Sequence, residues 1–163
     1  MKSALLMDFT VDKENCRVNV KREFAAPLNL VWDAWTNPDV LDKWWAPRPY
    51  QTVTKSMDFK VGGRWHYHMK GPQGDIHWCL ADYKSIDIEK EYQCLDAFCN
   101  EEMVINETHP RSYWTVAFEA QGDKTLVKVE IQHEKLSDLE MIIEMGFKEG
   151  FTMALGNLDE VLG

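Results

Sequence analysis

The chain predicts an α+β fold: a curved antiparallel sheet wrapped around a long C-terminal helix, with two short helices after the first strand. Three observations carry this. An alternating pattern over residues 16–24 gives way at once to two segments with helical spacing. Residues 51–133 are β-patterned throughout and are punctuated by short turns. From Ser137 onward the apolar residues return to helical spacing and hold it to the end.

Taken in order, residues 1–14 are weakly patterned and read as a loosely attached N-terminal arm or an extra edge strand. In CRVNVKREF, Val18 and Val20 share one parity and Arg17, Asn19 and Lys21 the other, which is a half-buried strand. Leu28, Val31, Trp32 and Trp35 then fall on one helical face, with Pro27 at the first helical position. Asn37 caps a second short helix begun by Pro38, on which Val40 pairs with Trp44 and Leu41 with Trp45; Pro47 ends it. Neighbouring helical residues point about 100° apart, so the two tryptophans cannot share a pocket. Trp44, with Val40 behind it, is placed in the core, and Trp45 at a pocket entrance or against the first strand. Spacing alone leaves open which ring closes a cavity.

Candidate strands follow at QTVTKSMDF, GRWHYHMKG, DIHWCLADYKSIDI, EYQCLDAF, SYWTVAFEA and KTLVKVEIQHE. Several are separated by short turns such as Gly71-Pro72-Gln73-Gly74 and Gln121-Gly122-Asp123, which favour antiparallel neighbours. The final helix opens on a capping box, Ser137 with Glu140 three residues on. It runs for about 24 residues, or ~36 Å, long enough to cross the sheet. A curved sheet and a single helix leave space that side chains alone fill poorly, so the architecture tends to enclose a cavity.

The bulk properties bound the function. The chain has 163 residues and no composition break, and reads as one domain over 1–163. It is 45% hydrophobic and 12% aromatic, enough for a core without disulfides. A net charge of −9 argues against nucleic-acid binding and against anionic membrane surfaces. No apolar run approaches the ~20 residues of a membrane-spanning helix, and the first residues make a poor signal peptide. Cys16, Cys79, Cys94 and Cys99 show no CxxC spacing and are read as reduced, mostly buried thiols. A cytoplasmic protein fits best.

The ordered set FAAPLNLVWDAWTNPDVLDKWWAP, MDFKVGGRWHYHMKGPQGD, LDAFCNEE and GFKEGFTMALGNLDEVL resembles the activator-of-heat-shock-protein-90-ATPase homologue family. That family sits within the larger SRPBCC superfamily (START-like, Bet v 1-like). The resemblance covers about residues 16–162, leaving a domain of that type over 15–162 after the arm. Trp44-Trp45-Ala46-Pro47 and the Gly62-Gly63…Gly71-Pro72…Gly74 spacing are its most specific pieces, while Gly150-Phe151 stands where the family often has Gly-Trp. It implies a helix-grip fold with an apolar pocket between sheet and long helix, a setting in the stress response, and no shared catalytic motif.

Candidate lining residues come from strand parity and helix face: Trp65, Tyr67, Phe98, Trp114, Phe118, Phe147 and Phe151. The same rings, taken singly, also suit plain core packing. Gly146, Gly150 and Gly156, with Met141, Met145 and Met153, make the long helix small and soft; this reads as room for a ligand or as close helix–sheet contact. His66-x-His68, with His77 on the next strand, falls short of a zinc set, and an outward HxH is commonly solvent-exposed. Asp96 shares parity with Tyr92, Cys94 and Phe98, and parity does not settle whether that set faces inward. Facing inward beside Tyr67, Asp96 would suit acid–base chemistry; otherwise it pairs with Arg64, Arg111 or a backbone amide.

The function expected is non-enzymatic binding of a small hydrophobic or amphipathic molecule, with no cofactor and no metal. Two alternatives stand beside it. One is a cyclase- or aromatase-type enzyme using pocket Asp, Tyr or His. The other is a cochaperone-like module that contacts a chaperone through an exposed patch around Trp44 and Arg48.

Overall fold

In the computed structural model, which describes residues 5–163, eight strands form one antiparallel sheet. They are β1 (Met7–Asp12), β2 (Arg17–Phe24), β3 (Gln51–Met57), β4 (Arg64–Lys70), β5 (Ile76–Asp87), β6 (Glu91–Cys99), β7 (Tyr113–Gln121) and β8 (Lys124–Gln132). Their order across the sheet is β1-β2-β8-β7-β6-β5-β4-β3. From β3 to β8 each strand pairs with its predecessor, as short connections require, and β2 closes against β8. The register shifts at Thr54/Ser56 and at Tyr83/Ser85; such irregularities bend a strand and help the sheet curve. Of the two forms expected at the N-terminus, Met7–Asp12 takes the edge strand, paired with β2 from Met7↔Arg22 to Asp12↔Arg17. The first four residues of that arm lie outside the described residues.

Helices α1 (Leu28–Thr36) and α2 (Pro38–Trp44) follow β2. Pro27 stands one position earlier than expected, as the extended residue before α1. Asn37 caps α2, its side chain accepting a 3.0 Å hydrogen bond from the Asp39 amide. Both helices lie on the concave side, where α1 packs on β7 and β8.

The long C-terminal helix differs from expectation, because it is two helices: α3 (Leu136–Glu144) and α4 (Phe147–Leu162). Gly146 has φ +90°, a left-handed conformation that ends α3 and starts α4 in a new direction. Nor does Ser137 cap the segment. Lys135 precedes α3 without a side-chain cap bond, so the box-like spacing Ser137…Glu140 falls inside the helix. The apolar period survives the break because each half turns its own apolar side inward.

The concave face is covered in two ways. At one end α1 seats Trp32 against Phe118, Phe59 and Tyr92, with ring centroids 5.0, 5.9 and 6.1 Å apart. Next to it α4 packs on α1 and α2, with Leu155 and Leu158 fully buried. At the other end the α3–α4 junction spans β4–β7 without filling the space beneath it.

Candidate functional site

Strand pairing brings inward residues into rows across the sheet. One row is Tyr67–Cys79–Phe98, the next Trp65–Ala81–Asp96, and the third Tyr83–Cys94–Trp114. In the first and last of these a small thiol lies between two rings, and in the middle row Ala81 lies between a ring and a carboxylate. The small residues form a low floor and the large ones stand as walls. Above that floor is a cavity of about 260 Å³. Its roof comes from Ile142, Met145, Gly146, Phe147 and Phe151 around the helix break, and Trp35, Trp45 and Pro47 close its flank.

Of the seven residues expected to line a pocket, Trp65, Tyr67, Phe98, Trp114, Phe147 and Phe151 border this cavity. Phe118 does not. It lies four residues beyond Trp114 on β7, where α1 has already descended onto the sheet, and packs against Trp32 and Trp35 instead. Trp45, expected at a pocket entrance or against the first strand, and Asp96, whose direction parity left open, also border it. Tyr83 and Tyr92 border it without having been expected there; Tyr92 shares parity with Phe98, but parity on β6 did not settle which set faces inward.

The adjacent tryptophans divide their roles. Trp44 is 1% exposed, donates its indole N–H to the Ala34 carbonyl at 2.8 Å, and packs on Trp35 at 4.8 Å. Trp45 borders the cavity, with its Nε1 donating to the Tyr67 hydroxyl at 3.0 Å. Its ring meets Trp65 at 5.6 Å and Trp114 at 5.8 Å, and so joins the roof to the floor. Gly150 approaches Pro47, where a methyl group would stand 3.6 Å from Cγ, an ordinary contact. Gly146 and Gly150 border the cavity, whereas Gly156 faces open space.

Asp96 points inward. Its Oδ1 accepts from the Ser112 amide and its Oδ2 from the Trp114 indole N–H, each at 2.7 Å. Burial pushes its carboxyl up to about 6, against the pull of those two donors and of Arg111. Arg111 does not touch the carboxylate: it holds the Asp96 main-chain carbonyl at 3.0 Å and the Asp82 carboxylate at 2.8 Å. Arg64 also goes to Asp82. Burial and the neighbouring Cys79 raise the Tyr67 hydroxyl well above its usual range. Burial, then Asp96, pushes the Cys79 thiol up to about 12, and the same two causes raise Cys94. These thiols therefore stay protonated and serve as floor rather than as nucleophiles. None of the four cysteines is paired; Cys79 and Cys94 are buried, whereas Cys16 and Cys99 are half-buried.

The histidines do not converge. His66 faces outward by parity, yet it is 1% exposed, because Trp78 covers it and the Asn100 carbonyl lies 3.1 Å from its Nε2. The expectation of a solvent-exposed HxH is therefore corrected for His66: the chain between β6 and β7 covers that part of the convex face. His77 is opposite Met69 in the ladder, on the other side of the sheet from His66 and His68. Among the described residues no three His, Cys, Asp or Glu side chains are grouped to hold a metal ion. Nor is any helix among them long and apolar enough to cross a membrane.

The same architecture recurs in solved structures. A crystal structure of a protein from Mycobacterium smegmatis superposes with a TM-score of 0.89 at 25% identity, covering 98% of each chain. A solution structure of a protein from Arthrobacter aurescens gives 0.90 at 26% identity, covering 95% of this chain and 90% of that one. One from Staphylococcus epidermidis gives 0.82 at 26%, covering 94% and 93%. A comparison with curated proteins finds no match. The family described as activator of Hsp90 ATPase homolog 1-like protein matches residues 25–163. That span runs from the end of β2 through both C-terminal helices and includes every wall of the cavity, and the chain belongs to that family.

Proposed function

We propose that the protein binds a small hydrophobic or amphipathic molecule in the cavity between sheet and α4, without transforming it. The observation that carries this is the floor of small residues set between aromatic walls. Rings pressed against rings would serve a core equally well, but Cys79, Ala81 and Cys94 leave a volume that none of the described residues occupies. A dry cavity of ~150 Å³ accommodates benzene. At about 260 Å³ this one suits a molecule of one or two rings. The apolar walls supply affinity, and Asp96 with the Tyr67 hydroxyl supplies the few polar positions that orient a ligand.

Native mass spectrometry of the purified protein, with tryptophan-fluorescence titration by 2-naphthol, tests this. Co-purified small molecules or saturable quenching supports it, and Ala81→Leu, which raises the floor, weakens the quenching. No co-purified molecule together with no saturable binding overturns it.

One observation favours a second reading. Asp96 and Tyr67 border the same cavity and both are perturbed by burial, as acid–base catalysis of the cyclase type requires. Turnover of a bound aromatic precursor that is lost in Asp96→Asn would establish it. The chaperone reading rests on the family's description; of the patch expected for it, Trp44 is buried, while Arg48 is exposed and paired with Glu160. Stimulation of a chaperone ATPase by the purified protein would revive it.

A further inference from the structure

Among the described residues, the cavity lining contains one charged group, Asp96, and no lysine, arginine or histidine. A carboxylate offers about four acceptor positions, and the Ser112 amide and Trp114 indole occupy two of them. Both donors are neutral. The nearest guanidinium, that of Arg111, is spent on main-chain carbonyls and on Asp82. Among the described residues no cationic side chain forms an ion pair with Asp96. An unpaired carboxylate is expensive to hold in an apolar interior, and a cation from outside would offset that cost. The surrounding walls suit the same guest. Trp45, Trp65, Trp114 and Phe151 stand around the space, and aromatic faces attract a desolvated ammonium. An anionic ligand would meet repulsion and no compensating charge.

We propose that the ligand carries an ammonium group, seated among these rings and facing the Asp96 carboxylate, with its apolar portion filling the rest of the cavity. This rests on the ligand-binding reading and names the chemical class of the ligand.

The test compares benzyltrimethylammonium with neopentylbenzene, its neutral isostere, and with phenylacetate, all by tryptophan fluorescence at pH 7.5. The cation is expected to bind at least about tenfold more tightly than either. Because the probe's charge is permanent, pH acts only on the protein, and the preference should fade as pH drops through about 6. Facing Asp96, Tyr67 on β4, Cys79 and Tyr83 on β5, and Tyr92 and Cys94 on β6 are raised and stay neutral, Asp82 is lowered and stays ionised, and α3 and α4 present no titratable side chain to the cavity. His133 on the chain after β8, its Nδ1 3.4 Å from the Ser112 hydroxyl, is held below its ordinary 6.5 by burial, so the fade must persist in His133→Gln to belong to Asp96. Asp96→Asn should abolish the preference while the isostere still binds. Asn leaves one of the two N–H donors unmatched, so Asp96→Asn/Trp114→Phe, which removes the second donor as well, is the fallback if the single variant does not fold. Equal binding of cation and isostere, or tighter binding of phenylacetate, overturns the ammonium assignment and leaves the cavity reading intact. Binding of none of the three overturns the ammonium assignment, and failure of 2-naphthol as well overturns the cavity reading with it.

Discussion

The two ends of the concave face use the same kind of side chain to opposite effect. Under α1, Trp32, Phe118, Tyr92 and Phe59 meet edge to face and close the space between helix and sheet. Under the α3–α4 junction, Trp65, Trp114, Phe147 and Phe151 are just as aromatic, yet they surround a void. The difference lies in the residues between the rings and in the path of the helix above. Small floor residues lower one surface, and the left-handed Gly146 lifts the other. Aromatic content by itself therefore does not distinguish a core from a pocket.

The largest effect that would sharpen this contrast is truncation at the packed end. Trp44→Ala should cost about 3–5 kcal/mol in urea unfolding, because it removes a fully buried ring and leaves the Ala34 carbonyl without its donor. At the cavity roof, Phe147→Ala should cost only about 1–2 kcal/mol, since the ring is half-buried and stacks on Phe151 beside a space that already exists. Equal losses would break the comparison. Gly146→Ala comes next. A side chain at φ +90° should cost about 1–2 kcal/mol, whereas Gly156→Ala, in the exposed interior of α4 with nothing within 4 Å, should add about 0.5–1 kcal/mol. Opposite signs for two glycines ten positions apart would mark Gly146 as the structural break.

Asp96 supplies a pH-dependent difference between the ends. Its folded pKa of about 6 lies above the ordinary value of 3.8, so the native state holds the proton longer than the unfolded chain does. Its favourable contribution is present below about pH 4 and is lost as pH rises through about 6. Unfolding of wild type and Asp96→Asn between pH 4 and pH 8 should show the wild type losing ground relative to the variant as pH rises. A constant difference would remove the buried carboxylate from the account. The smallest effect belongs to the surface. Arg48→Ala breaks the pair with Glu160, whose side chains are 57% and 61% exposed, and should change stability by less than about 1 kcal/mol.

Much of the fold was legible in the residues because its elements are local. Alternation at Val18 and Val20 marks β2, Asn37-Pro38 marks α2, and the short turns between strands dictate antiparallel neighbours. Side-chain parity placed Trp65, Tyr67 and Trp114 on the inner face, and helix spacing placed Phe147 and Phe151 opposite them. These depend on periods of 2 and 3.6 residues, which the chain carries in its own order.

What tertiary structure alone decided depends on distance across the sheet. Phe118 has the same parity as Trp114, but only the descent of α1 makes one a core ring and the other a cavity wall. The α3–α4 break is hidden because the apolar period continues through a glycine that a helix also tolerates. The inward turn of Asp96 rests on partners reached through folding, the Ser112 amide and the Trp114 indole, 16 and 18 residues away. Trp44 and Trp45 differ for the same reason: two neighbours on one helix must point apart, and only the sheet beneath them determines which one meets Tyr67. Local periodicity sets which face a residue occupies. Whether that face is filled or left open is settled by the elements that arrive from elsewhere in the chain.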